Sequence, residues 1–154
     1  LDKQKSVGGK MKYVREILEK KGKDVWSIAP EVTMYEALKL MAEKDVGALL
    51  VIKNDKVVGI VSERDYARKV ILHGKSSKEI SVSEIMTHDV ICISPSTEVE
   101  QAMAIMSEKK IRHLPVMEDE KLAGIISIGD VVKAIIDQKD FVIVELTRYI
   151  TGSY

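Results

Sequence analysis

The chain has 154 residues, 45% of them apolar, with 24 Lys plus Arg set against 24 Asp plus Glu. It is long enough to bury a sizeable core, and its neutral balance, with no stripe of basic and aromatic residues, argues against a nucleic-acid partner and leaves any anion site local. The longest apolar runs fall far short of a bilayer span and nothing at the start reads as a signal peptide, so a cytoplasmic protein with no membrane partner is expected.

Residues 1–10, LDKQKSVGGK, are polar and Gly-bearing and read as a flexible lead. A helix is predicted over Met11–Lys20, with Met11, Val14, Ile17 and Leu18 on its apolar side. A short apolar strand, Val25–Ile28, stops at the turn APEVT, after which a helical period takes over at Ala37, Leu38 and Met41. Two strands follow, ALLVI and VVGIV, joined by the polar turn KNDK at hairpin length. The next helix begins at Ser62, which suits an N-cap, and carries Tyr66, Val70 and Ile71. GKSSKEISVSEIMT then reads as a short linker.

Beyond the linker the order recurs. Strand Val90–Ile93 meets the turn SPSTE, a helix carries Val99, Ala102, Met103 and Met106, and strands HLPVM and LAGII are joined by EDEK. A helix from Ser127 then carries Val131, Val132, Ile135 and Ile136, and Asp137–Ile150 continues as an amphipathic helix with Phe141, Val144 and Tyr149, a packing or partner face. A shift of 65 residues lays 24–71 on 89–136 without a gap, and about one third of the pairs are identical. The fold class expected is therefore α/β (α+β), two β-α-β-β-α repeats over 11–75 and 76–140, followed by a C-terminal helix and tail over 141–154. Neither repeat is large enough to close a good core alone, so the halves are expected to pack sheet against sheet as one module.

Both copies close on one phrase, GIVSERD (59–65) and GIISIGD (124–130). The Gly permits a sharp strand end or a close backbone approach by a ligand. The Ser hydroxyl and helix-start N–H groups can donate to a phosphate or ribose, and the Asp can accept from both hydroxyls of a vicinal diol. The same residues also make a capping box, Ser at the N-cap and Asp at the third helical position, and local sequence leaves the two readings open.

The duplicated unit ending in G-h-h-S-x-x-D, with its I-x-P turns and the strand Leu114-Pro115-Val116, resembles the cystathionine β-synthase (CBS) domain, here as the tandem pair called a Bateman module. VGALLV, VSERDYARKVI, RHLPV and GIISIGDVVKAII are similar to the stand-alone CBS-pair proteins of bacteria and plant organelles. The resemblance implies two clefts, each pairing the S-x-x-D corner of one repeat with strands of the other. One would hold Ser62, Arg64 and Asp65 with Met86, Thr87, Val90, Arg112 and His113. The other would hold Ser127, Gly129 and Asp130 with Lys23, Val25, Val46, Gly47 and Ala48. It also implies an adenine nucleotide as ligand, AMP foremost with ADP, ATP or NAD as alternatives, no required metal, a homodimer formed through helix faces, and an unknown regulated protein in trans. Because Arg112-His113 replace Gly47-Ala48 between the copies, the Asp65 cleft is expected to read phosphate, more tightly as pH falls from about 8 to 6, and the Asp130 cleft to tolerate adenosine or stay empty.

Other residues read more plainly. Cys92, in VICI, is expected to be a small buried side chain. Trp26 fits packing better than stacking on a base, and His73 and His88 lack partners at metal-ligand spacing. Met34, Met41, Met103 and Met106 are core or dimer-face candidates, and with Leu38 they motivate the dimer. Neither Ser has a His at catalytic spacing, and no phosphate loop of the G-x-G-x-x-G or G-x-x-x-x-G-K-[ST] kind occurs, so a non-catalytic nucleotide sensor is favoured over a small nucleotide-using enzyme.

Overall fold

Both predicted hairpins form, and their turns explain their hand. Asn54 and Asp55 take φ of 51° and 61°, and Asp119 and Glu120 take 51° and 64°, so each two-residue turn has positive φ at both positions. Such a turn matches the right-handed twist of the flanking strands. The structure is a computed structural model that describes residues 11–138. The lead expected over 1–10 and the tail and helix expected over 141–154 lie outside the described residues.

In chain order the elements are α1 (Val14–Lys21), β1 (Ser27–Ile28), α2 (Met34–Lys44), β2 (Ala48–Lys53), β3 (Lys56–Ser62), α3 (Glu63–Asp65), α4 (Val82–Ile85), α5 (Val99–Lys109), β4 (His113–Glu118), β5 (Lys121–Ser127) and α6 (Ile128–Gln138). The mixed α/β (α+β) class and the repeat of strands and helices are as expected. The described chain divides into two compact units, one of Asp24–Ile91 and one joining residues 11–23 to 92–138.

In the Asp24–Ile91 unit, β1 runs parallel to β2 and β2 antiparallel to β3, in the order β1-β2-β3. Thr33 caps α2 by accepting from the Glu36 N–H at 3.2 Å, and the helix turns Met34, Ala37 and Met41 onto β2 residues Leu49 and Val51. The segment read as a linker is part of this core. Ile80, Val82, Ile85 and Met86 are buried in it, Met34 N–H donates to the Ile80 carbonyl at 2.9 Å, and Val82 N–H donates to Val32 at 2.8 Å.

The second unit repeats this arrangement with a reduced first strand and a continuous last helix. β4 and β5 pair antiparallel, but the strand expected at Val90–Ile93 reduces to a single parallel bridge from Ile93 to Val116. Beside them lies α1, tied by Val14 N–H to the Thr97 carbonyl at 2.9 Å and by Val99 N–H to the Lys12 carbonyl at 2.8 Å. The helix that precedes the first repeat thus packs on the second. The sequence carries a sign of this, since V-x-E-I occurs at Val14–Ile17 and again at Val82–Ile85, each ahead of one repeat and packed on the other. The repeat boundaries at 11–75 and 76–140 and the compact units therefore divide the chain differently.

Three expectations need correction. Cys92 is exposed rather than buried, and the burial it does have pushes its thiol pKa up, away from a reactive thiolate. Met34, Met41 and Met106, read as core or dimer-face residues, are at most 1% exposed and fill the cores, so they are not free to form a dimer face, while Met103 is only partly buried. The helix after Ser62 is not continuous: α3 passes into a π-helical turn over Tyr66–Val70 and a 3-10 turn over Ile71–His73, which leaves Ile71 exposed while Val70 is buried.

Candidate functional site: two serine–aspartate corners

Each G-h-h-S-x-x-D phrase spans the end of a strand and the start of a helix. At the first, the Ser62 N–H donates to Asp65 Oδ2 at 2.9 Å, the Asp65 N–H donates to Ser62 Oγ at 3.2 Å, and the Ser62 hydroxyl reaches Oδ2 at 3.1 Å. At the second, the Ser127 N–H donates to Asp130 Oδ2 at 2.8 Å and the Asp130 N–H donates to Ser127 Oγ at 3.1 Å. Both are reciprocal capping boxes, so the bland reading of these residues holds as geometry. It also fixes the carboxylates: Asp65 and Asp130 keep only 18% and 24% of their side chains exposed, each at a strand end.

The glycines of the phrases serve packing. A Cβ on Gly59 would stand 2.5 Å from Met86 Sδ and 3.0 Å from the Thr87 carbonyl oxygen, and one on Gly124 would stand 2.7 Å from Leu18 Cδ2. In each case the intruder is the residue that follows V-x-E-I. Ile60 and Thr87 exchange backbone hydrogen bonds of 3.1 and 2.9 Å, so Met86 and Thr87 lie beside the Ser62 corner.

Each carboxylate is also held by an ammonium that sequence reading missed. Lys69 Nζ lies 3.1 Å from Asp65 Oδ1 and donates to the Ile85 carbonyl at 2.9 Å. Lys21 Nζ lies 2.6 Å from Asp130 Oδ2 and donates to the Ile125 carbonyl at 2.9 Å. Both lysines join the S-x-x-D carboxylate to the V-x-E-I side of the unit, but Lys69 belongs to the corner and Lys21 to α1. Burial pushes the Asp130 pKa up, yet the Lys21 hydrogen bond, the Ser127 N–H and the Lys21 charge outweigh it and hold the pKa below its ordinary 3.8.

The remaining assigned residues group within units as follows. Ala48 stands opposite Ser62 in the β2–β3 register, and the Glu63 N–H donates to the Gly47 carbonyl at 3.0 Å. His113 stands opposite Ser127, and the Ile128 N–H donates to the Arg112 carbonyl at 2.8 Å. Gly47-Ala48 thus sit beside the Ser62 corner of their own unit and Arg112-His113 beside the Ser127 corner of theirs. Val25, Val46, Arg64 and Val90 belong to the Asp24–Ile91 unit and Gly129 to the other. Lys23 lines a separate pocket of about 440 Å³ with Arg15, Ser94 and Ser96. Trp26 is 38% exposed, with Lys44 Nζ 4.3 Å from its ring centroid, and His73 and His88 are exposed. Among the described residues no group of three or more His, Cys, Asp or Glu could hold a metal ion, and no described helix is long and apolar enough to cross a membrane.

Burial lowers the pKa of the His113 imidazole below its ordinary 6.5; the Lys21 charge adds to this, Asp130 opposes it, and Arg112 lowers it further. In the ligand-free chain these surroundings disfavour the imidazolium that was expected to meet a phosphate. Because the folded chain takes up this proton at a lower pH than the unfolded chain, its stability contribution is complete above the ordinary pKa and is lost as pH falls through 6.5 toward the depressed value. The His113 ring resonance is expected to titrate below 6.5, and His113→Gln should flatten the fall in unfolding temperature on acidification. A midpoint above 6.5 would reverse the sign.

A family model for the CBS domain matches residues 14–71 and again 82–137. The chain belongs to the CBS domain family. Among solved structures, this CBS pair is similar to a CBS-domain protein from Burkholderia ambifaria MC40-6, with a TM-score of 0.80 and 47% identity over 84% of this chain and 97% of that one. Among curated proteins it is 38% identical to the mitochondrial CBS domain-containing protein CBSX3 of Arabidopsis thaliana, over 92% of this chain and 73% of that protein. It is also similar to the CBS domain pair of protein MJ0100, solved in complex with 5-methylthioadenosine and S-adenosyl-L-methionine, with a TM-score of 0.71 and 25% identity over 81% of this chain and 96% of that one.

Proposed function

We propose that this CBS pair is a regulatory module that binds an adenine nucleotide, AMP foremost and ADP, ATP or NAD as alternatives, without turning it over. The observation that carries the reading is the pair of matched corners, each presenting a fixed, partly exposed carboxylate where a ribose diol can donate to it, beside Ser hydroxyls and an ammonium. A structural neighbour that holds two adenosine compounds supports the ligand class. Calorimetric titration with AMP, ADP, ATP and NAD should give saturable binding, and chromatography of the nucleotide afterwards should return it unchanged. Consumption of the nucleotide by clean protein would shift the reading to a small enzyme.

We further propose that occupancy is reported within a cytoplasmic homodimer or to a regulated protein in trans. Ile71 and Leu72, 52% and 78% exposed on the turn that follows the first corner, are apolar side chains that an isolated chain leaves in water. Sedimentation at micromolar concentration should show a dimer, and Leu72→Glu should shift it toward monomer. A monomer in the parent protein, with and without nucleotide, counts against self-association.

A further inference from the structure

Lys21 is the last residue of α1, and its ammonium joins three things: the helix that bears it, the Ile125 carbonyl of β5, and Asp130 Oδ2. That oxygen already accepts the Ser127 N–H, so both bonds fall on one oxygen of the carboxylate. A vicinal diol donating to both oxygens competes directly with Lys21, and a 2.6 Å charge-assisted bond is not given up without a replacement.

The surroundings supply the terms of that replacement. Asp130 and Lys21 line a cleft of about 330 Å³ between α1 and α6 with Lys20, Lys133 and Asp137. Lys20 faces Asp137 at 3.5 Å, whereas Lys133 makes no ion pair among the described residues. Turning Asp130 to a diol therefore leaves two ammonium groups, Lys21 and Lys133, in one cleft with no paired carboxylate among the described residues. A phosphate monoester, with a charge of about −1.5 to −2 at neutral pH, balances two such cations, and an uncharged nucleoside balances neither.

We propose that Lys21 is an exchangeable tie: it holds Asp130 in the absence of ligand and passes to the phosphate when the ribose of a nucleotide takes that carboxylate, so the corner selects nucleotides over nucleosides and the last turn of α1 is the element that responds. The proposal rests on the nucleotide-binding reading above. It reverses the expectation that this corner tolerates adenosine while the other reads phosphate, because the sequence gives no hint that an α1 lysine reaches Asp130. The first corner differs in kind, since Lys69 sits on the same turn as Asp65, and its exchange would release a side chain but no separate helix.

The test is calorimetric titration with AMP and with adenosine, in an Asp65→Ala background so that the Asp130 corner alone reports, comparing Lys21 with Lys21→Met. Removing the tie should tighten adenosine by about tenfold and weaken AMP by about tenfold, the lower end expected for hydrogen bonds to charged groups at a partly exposed pair. The preference for AMP should thus collapse by about a hundredfold. A second measurement needs no folded variant: in the parent protein, saturating AMP should raise amide hydrogen exchange in the last turn of α1. An unchanged preference, an equal shift for both ligands, or unchanged exchange on AMP binding overturns the tie and leaves nucleotide binding standing. Failure of both AMP and adenosine to bind any of the proteins overturns the nucleotide reading and the tie with it.

Discussion

Replacing Asp65 and Asp130 together by alanine is expected to abolish saturable binding of adenine nucleotides. Each carboxylate is the acceptor that a ribose diol needs, and losing hydrogen bonds to a charged group costs about 1.5–3 kcal/mol, or roughly ten- to a hundredfold in affinity, at each corner. The same substitutions leave the Ser62 and Ser127 caps but remove the carboxylates that accept the two serine N–H groups, and lost hydrogen bonds to charged groups cost stability as well, so affinity and fold have to be separated. Asp65→Asn with Asp130→Asn does this. An Asn side-chain oxygen still accepts the Ser62 and Ser127 N–H groups at the helix starts, but it gives up the charge and one acceptor. The alanine and asparagine pairs should both lose binding, while unfolding in urea should show the asparagine pair closer to the parent. Nucleotide binding that survives in both pairs would reduce the corners to helix caps and end the ribose assignment.

Gly59→Val should destabilise the protein by about 1–3 kcal/mol, the usual range for forcing extra methylenes into a filled core. Gly59 has an ordinary strand conformation, so the cost comes from Met86 Sδ and the Thr87 carbonyl, which would lie 2.5 and 3.0 Å from the new Cβ. A thioether can move, but a backbone carbonyl engaged with the Ile60 N–H at 3.1 Å can move only by breaking that bond. At Gly124 the obstacle is the Leu18 side chain at 2.7 Å, which can change rotamer, so Gly124→Val should cost less. Urea unfolding of the two variants orders them, and a smaller loss at Gly59 than at Gly124 would contradict the argument. Because Met86 and Thr87 flank the first corner, Gly59→Val should also weaken nucleotide binding there.

The repeat, the hairpins, the caps and the residue types at the corners were legible because each is written within a few residues: KNDK and EDEK between alternating strands, Ser62 and Ser127 three residues before an Asp. Lys21 was not, because its partner Asp130 lies 109 residues away and a lysine in a helix's last turn looks like any solvated charge. Cys92 was misjudged because VICI is apolar enough for a strand, yet only Ile93 of that run bridges to β4. Likewise the run ISVSEIM, short and bounded by polar residues, read as a linker until Ile80, Val82 and Met86 were seen in the core. A local pattern reports which face is apolar and says nothing of which distant surface covers it.

The V-x-E-I exchange has a consequence for the order in which the chain matures. The unit of Asp24–Ile91 is contiguous, so every strand and helix it needs has been synthesised before β4 is made. The other unit opens with α1 and closes with α5, β4, β5 and α6, so its first helix has to wait, apolar side uncovered at Val14, Ile17 and Leu18, while about seventy residues of another unit are synthesised between them. During that interval the nascent chain carries one finished unit and one unpartnered amphipathic helix. That helix is the point at which a chaperone would bind or a neighbouring nascent chain would exchange segments.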